Sequence, residues 1–230
     1  RGGLVRHLEP AEIVEQILML KQDLRDDPFE HFGDRQPNVV FMGMGEPLDN
    51  WENVQKSLGI MMHKQGLDMS KRRIQISTSG PAEGLQKLIN SNPGIGLTLS
   101  LGGTTDESRK KTMPVPGRTG VVEAVDLAAA YARNSSRKAT LAWVLIDGQT
   151  DSDEQARQLA ALAGRGAFKI NLIPMNRLDD GKLEPSALEK ILGFQKIITD
   201  KGVPAFIRAS GGQDIAAACG QLRRRRQPGA

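Results

Sequence analysis

Cysteine is nearly absent from these 230 residues: there is one, Cys219. A single thiol cannot build an internal disulfide framework and fits a reducing compartment, so the expected location is the cytoplasm. Long apolar runs are missing too. None approaches the roughly 20 residues that a membrane-spanning helix requires, and no membrane partner is expected. No secretory leader is visible, because Arg6, His7 and Glu9 interrupt the early apolar positions. There is no Pro/Gly/Ser-rich linker, no repeat beyond a strand–helix rhythm, and no low-complexity block apart from the arginines at 223–226. The formal charge is only +4, part of it in that arginine run. The run reads either as a solvated end or as a contact for nucleic-acid phosphate. The first residue is Arg1 rather than Met, as in a fragment or a processed chain.

The composition that remains, 39% hydrophobic and 25% charged, is that of an ordinary globular protein and excludes collagen-like, disordered and membrane classes. The length suffices for one substantial core. The expected organisation is a single domain over 1–222 followed by a basic tail, 223–230. Ile13, Ile17, Leu20 and Leu24 recur at helical spacing and predict an amphipathic helix over 9–26. Short apolar runs then alternate with amphipathic segments. Strands are expected at 39–44, 74–77, 97–101, 140–146, 169–174 and 205–209, and helices at 51–64, 81–90, 121–134, 152–163 and 185–201, before a C-terminal segment at 213–222.

Strands separated by helices imply a parallel sheet, since a parallel pair needs a crossover long enough to hold one. A barrel and an open doubly wound sheet both satisfy that rule. The glycines and polar residues favour the barrel, because Gly45-Glu46-Pro47, Ser77-Thr78-Ser79-Gly80, Ser100-Leu101-Gly102-Gly103 and Pro174-Met175-Asn176 each follow a strand's C-terminal end. In a (β/α) barrel those ends converge on one mouth, whereas an open sheet would concentrate them at one switch point.

Phe41-Met42-Gly43-Met44-Gly45-Glu46-Pro47, taken alone, is a strand running into a tight glycine turn. A carboxylate beside two glycines at a barrel mouth could also accept hydrogen bonds from an amino group while the bare backbone lets a ligand approach. Extended through Leu48, Asp49 and Asn50, the segment resembles the signature of the RlmN/Cfr family of radical-SAM RNA adenine-C2 methyltransferases. Three further segments resemble the same family in order: 70–80 around Ser77, 169–176 ending at Asn176, and 214–222 around Cys219.

The resemblance implies an α/β fold, a partial (β/α)6-type radical-SAM barrel lacking its first strand and cluster loop. It places S-adenosylmethionine against Gly45, Glu46, Ser77, Ser100, Leu101, Gly102 and Asn176. It makes Cys219 the methyl-accepting catalytic residue: one S-adenosylmethionine methylates the sulfur, and a second is cleaved to a radical that activates the S-methyl group for addition to C2 of adenine. A thiolate is a suitable nucleophile toward a sulfonium methyl. C2 of adenine is electron-poor, which is why ordinary polar transfer would fail there. The implied partners are 23S rRNA, tRNA as a further substrate, and an external electron donor such as flavodoxin; the expected state is a monomer.

The departures from the family are as specific as the matches. Its C-x3-C-x2-C motif, whose thiolates hold a [4Fe-4S] cluster, belongs immediately before Arg1, and Cys219 alone cannot supply three iron ligands. The chain is therefore read as N-terminally truncated and inactive by itself, with no metal-ligating residue of its own. Ser-Leu-His becomes Ser100-Leu101-Gly102, and Thr150 replaces a usual asparagine. Glu46-Pro47 favours the housekeeping RlmN branch. His7, His31 and His63 show no metal-ligand spacing, Trp51 and Trp143 read as core, and Lys71-Arg72-Arg73 reads as the solvated start of a strand or a contact for RNA phosphate. Two alternatives stand beside the methyltransferase: a degenerate RNA- or SAM-binding paralogue without radical chemistry, and a generic barrel enzyme for a phosphorylated metabolite.

Overall fold

The computed structural model describes residues 4–26, 36–43, 45–114, 119–176 and 183–208. Cys219, His31, the 213–222 segment and the arginine tail lie outside the described residues. The order is α1 (Pro10–Asp26), β1 (Val39–Phe41), α2 (Trp51–Met62), β2 (Ile74–Thr78), α3 (Ala82–Ser91), β3 (Gly96–Ser100), α4 (Asp106–Thr112), α5 (Val121–Ser135), β4 (Ala139–Leu145), α6 (Asp153–Ala163), β5 (Phe168–Pro174), α7 (Leu188–Asp200) and β6 (Ala205–Ile207). All neighbouring strands are parallel, and their spatial order is their chain order, β1 to β6.

That order decides between the two sheet architectures. A doubly wound sheet reverses direction at a switch point. A sheet that advances monotonically through right-handed crossovers keeps all its helices on one face and curls as a barrel does. Side-chain alternation agrees. Ile74, Ile76, Leu97, Leu99, Leu141, Trp143, Ile170 and Leu172 are buried beneath the helices. The opposite face carries Gln75, Ser77, Ser100, Lys169 and Asn171, all at least partly open. The register aligns Ser77 with Thr98, Thr98 with Thr140, and Ser100 with Ala142 and then Asn171. Among the described residues the sheet is open, since β1 pairs with β2 alone and β6 with β5 alone.

The core side holds the expected aromatics. Trp51 and Trp143 are buried, and Trp143 stacks on Phe194 at 6.3 Å between ring centroids. One expected apolar position fails: Leu20 is 61% exposed, and Val14 joins Ile13 and Ile17 on the buried face of α1 instead. The first strand is also shorter than its apolar run, because the chain turns away after Phe41 toward a 3-10 turn at Pro47–Asn50. Helix α4 was not foreseen. It is seven residues long and almost wholly polar, so it has no apolar stripe to betray it, and it is nucleated by a reciprocal cap between Thr105 and Ser108.

Candidate functional site

Strand alternation brings the candidate residues to one end of the sheet. Ser77 is the penultimate residue of β2, Ser100 the last residue of β3, and Asn176 stands two residues beyond the end of β5. Gly45 and Glu46 open the turn that follows β1. Ser77 and Ser100 point to the face away from the helices and are half-buried, and neither hydroxyl has a hydrogen-bond partner among the described residues. Leu101 belongs to the other face and is fully buried, so its backbone alone can meet a ligand.

Glu46 does more than line the mouth. Its Oε1 accepts from the Thr78 hydroxyl at 2.6 Å and from the Leu48 backbone N–H at 3.2 Å; its Oε2 accepts from the Ser79 N–H at 2.8 Å and the Ser79 hydroxyl at 2.7 Å. A carboxylate has about four acceptor sites. The side chain therefore fastens the turn after β1 onto the turn after β2, and an ammonium group arriving there would share it with these donors. Gly45, at φ +102°, has nothing among the described residues within 4 Å of where a Cβ would stand, which leaves backbone open to a ligand.

Asn176 supplies the clearest sign of a missing partner. Its Oδ1 is buried and accepts no hydrogen bond among the described residues. An unsatisfied buried acceptor costs on the order of 1–3 kcal/mol, a penalty that a bound donor would remove. The adenine and ribose of S-adenosylmethionine both present N–H or O–H donors, and its amino and carboxylate groups match Glu46 and the free serine hydroxyls. The residues present thus fit this cofactor. They do not fit a [4Fe-4S] cluster, because the chain's one cysteine cannot supply three thiolates.

Gly102 explains one departure from the family pattern. It sits at φ +67°, and a Cβ there would collide with Met113 Sδ and Thr112 Oγ1. The Thr112 hydroxyl donates to the Gly102 carbonyl, so the end of α4 occupies the space that an imidazole would need. Thr150 explains the other. Its hydroxyl donates to the Val144 carbonyl at 2.6 Å and accepts from the Ile146 N–H at 2.8 Å, while its carbonyl accepts from Trp143 Nε1 at 2.8 Å. One hydroxyl completes the turn without an amide. His63 is exposed, and its Nδ1 accepts from the Gln65 N–H at 3.1 Å, a local bond.

Sequence reasoning missed Arg109. It lies on α4, only 5% of it is exposed, and its guanidinium donates to the Ser79 carbonyl. It thereby supports the turn that holds Glu46. The available signal was the Thr105-x-x-Ser108 cap that starts its helix. A shallow hollow of about 690 Å³ lies along Asp106, Val122, Glu123 and Asp126, but none of the candidate residues lines it.

The sequence profile described as the Radical SAM superfamily matches residues 1–160, more than half of the chain. The chain belongs to the radical SAM superfamily. Among curated relatives, it is 40% identical over 228 residues to a "Probable dual-specificity RNA methyltransferase RlmN" of Aquifex aeolicus, covering 97% of this chain and 64% of that protein. It is 39% identical over 225 residues to a "Dual-specificity RNA methyltransferase RlmN" of Campylobacter jejuni, covering 98% of this chain and 62% of that protein. The chain thus spans just under two-thirds of the length of these relatives. Among solved structures, a radical SAM methyltransferase from Sphaerobacter thermophilus superposes with a TM-score of 0.87 at 34% identity, over 95% of this chain and 63% of the other. That likeness supports the open, partial-barrel reading of the six-stranded parallel sheet. Among the described residues, no helix is long and apolar enough to cross a membrane.

Proposed function

We propose that the protein acts as a radical-SAM methyltransferase on C2 of adenine in 23S rRNA and tRNA, with Cys219 as the methyl carrier. The observation that carries this reading is the gathering of Glu46, Ser77, Ser100 and Asn176 at one end of the sheet, with an acceptor on Asn176 that lacks a partner among the described residues. The relatives' names supply the RNA substrate class.

In this reading Glu46 accepts from the cofactor's amino group, and Gly45 admits its close approach. Ser77 and Ser100 bind its polar edge, and Asn176 orients the nucleoside. The Cys219 thiolate attacks the sulfonium methyl: a carbon–sulfur bond forms at Cys219, another breaks at the cofactor, S-adenosylhomocysteine leaves, and the thiol proton passes to solvent. Moving the carbon from sulfur to adenine requires a reduced [4Fe-4S] cluster, whose thiolate ligands are not among these 230 residues, and an electron donor of the flavodoxin type. The setting is a cytoplasmic monomer.

The experiment is intact-protein and peptide mass spectrometry on the enzyme isolated at its full natural length. A methyl adduct on Cys219 is expected, and Cys219→Ala should abolish methylation while leaving the iron content unchanged. Retained methylation by a well-folded Cys219→Ala protein would remove the methyl-carrier role. The competing reading, a binding protein without radical chemistry, predicts an unmodified Cys219 and intact RNA binding.

A further inference from the structure

The end of the sheet opposite the candidate site is strongly basic. The segments that lead into β2 and β4 carry Lys71, Arg72, Arg73, Arg137 and Lys138, and Lys169 stands near the start of β5. Over 63–73, 136–138 and 164–169 the one carboxylate is Asp68. None of these six cations meets a carboxylate among the described residues. Arg165, in the same region, is already neutralised by Asp126 at 2.7 Å. A formal charge of +4 spread evenly over the chain would not produce such a cluster.

The cluster is also built to hold its shape. Lys71–Arg73 form a 3-10 turn capped by the Ser70 hydroxyl, so three consecutive cations fan out from a fixed backbone. Arg137 is half-buried, and its guanidinium donates to the Lys71 carbonyl at 3.2 Å and the Gly94 carbonyl at 3.1 Å, pinning that turn to the loop before β3. By strand alternation Arg73 and Lys138 share a face with Gln75 and Thr140, and Thr140 is in register with Lys169. Cations without carboxylate partners have no ion pair to give up on meeting an anion, and the fixed turn keeps their stems together.

We infer that this basic end, set by Lys71, Arg72, Arg73, Lys138 and Lys169, is a docking surface for the phosphate backbone of the RNA substrate. The inference rests on the RNA reading above and deepens it. Lys169 and Asn176 are seven residues apart along β5, so the surface lies roughly 20–25 Å from the mouth at about 3.3 Å per residue. A single nucleotide in the mouth cannot reach it. A folded RNA that lays one strand across the open sheet and another along its basic end can, which explains selection for a large, structured substrate without base readout at this surface.

The test measures binding of an unmodified tRNA transcript to the full-length enzyme by fluorescence anisotropy across a salt series. The variant is Arg72→Gln/Arg73→Gln/Lys138→Gln. The control removes the same charge elsewhere, through Lys87→Gln/Arg157→Gln/Lys196→Gln. All six side chains are exposed, so thermal unfolding should not change. Each lost phosphate contact reduces the log–log salt slope by about 0.7–0.9. The first triple should therefore lower the slope by about 2 to 3 and weaken binding on the order of tenfold, with the control close to wild type.

Equal weakening by both triples, or no weakening by the first, would overturn the inference while leaving the RNA reading intact. Loss of binding to phosphatidylserine–phosphatidylcholine vesicles with unchanged RNA affinity would also overturn it and assign the surface to membranes. Failure of the wild-type enzyme to bind the transcript at all would bring down the RNA reading itself.

Discussion

Ser79 holds Glu46 twice: its backbone N–H and its hydroxyl both donate to Oε2, at 2.8 and 2.7 Å. The turns after β1 and β2 therefore move as one body, and the carboxylate that the cofactor's amino group would meet is fixed beforehand. Glu46→Gln removes the charge and, in one amide orientation, presents an NH2 to two donors. Hydrogen bonds to charged groups contribute about 1.5–3 kcal/mol each. The variant should melt at lower temperature and bind S-adenosylhomocysteine at least tenfold more weakly by calorimetry. Heats equal to wild type would remove Glu46 from the pocket.

Asn176 separates folding from binding. Its Oδ1 is buried without a partner among the described residues, so replacing it should relieve the protein alone while harming the complex. Asn176→Ala is expected to leave unfolding free energy unchanged or raise it by about 1 kcal/mol in urea titrations. Affinity for S-adenosylhomocysteine should fall in the same protein. A variant that loses stability and keeps affinity would mean that the amide serves the fold.

Gly102 and Met113 should show coupled behaviour. Gly102→His restores the family's side chain into space already filled by Met113 Sδ and Thr112 Oγ1, at a backbone φ of +67°. The single variant should be destabilised and bind the cofactor analogue poorly. Gly102→His/Met113→Ala should recover part of both losses, because it vacates the collision. Additive losses in a double-mutant cycle would contradict this coupling.

Tyr131, the protein's one tyrosine, donates to the Ile95 carbonyl at 2.9 Å. Burial pushes its phenol up to about 12. Unfolded, the group ionises near 10, so above that pH the unfolded chain holds fewer protons than the folded one. Stability should be intact below about pH 10 and fall as pH rises toward 12. Phenolate absorbance should therefore appear together with loss of the circular-dichroism signal. Tyr131→Phe should remove this component of the alkaline transition, and early phenolate formation in a still-folded protein would refute it.

Much of this fold could be read from the chain because its strands are short apolar runs between polar turns. The runs around Leu141 and Ile170 lie within a residue of where alternation placed them. The motif positions at Glu46, Ser77, Ser100 and Asn176 share one sheet end for the same reason: parallel strands put their C-terminal ends together. Side-chain partnership was not legible. Nothing in the spacing of Glu46 and Ser79 shows that one saturates the other, and the polar helix bearing Arg109 has no periodic stripe. Leu20 misled because an apolar residue at helical spacing can still face solvent. Gly102 and Thr150 looked like losses until the structure showed Met113 and a two-way hydroxyl in their places.

The most direct test of the account is to incubate the full-length enzyme, under reducing anaerobic conditions, with unmodified 23S rRNA or tRNA and S-adenosylmethionine bearing a deuterated methyl group, then to digest the RNA and identify its nucleosides by mass spectrometry. The account predicts 2-methyladenosine that has lost one deuterium, because a hydrogen must leave the methyl carbon before it can bond to the ring. A methyl group carrying all its deuterium, a methylated exocyclic nitrogen, or unmodified adenosine beside intact binding would contradict it.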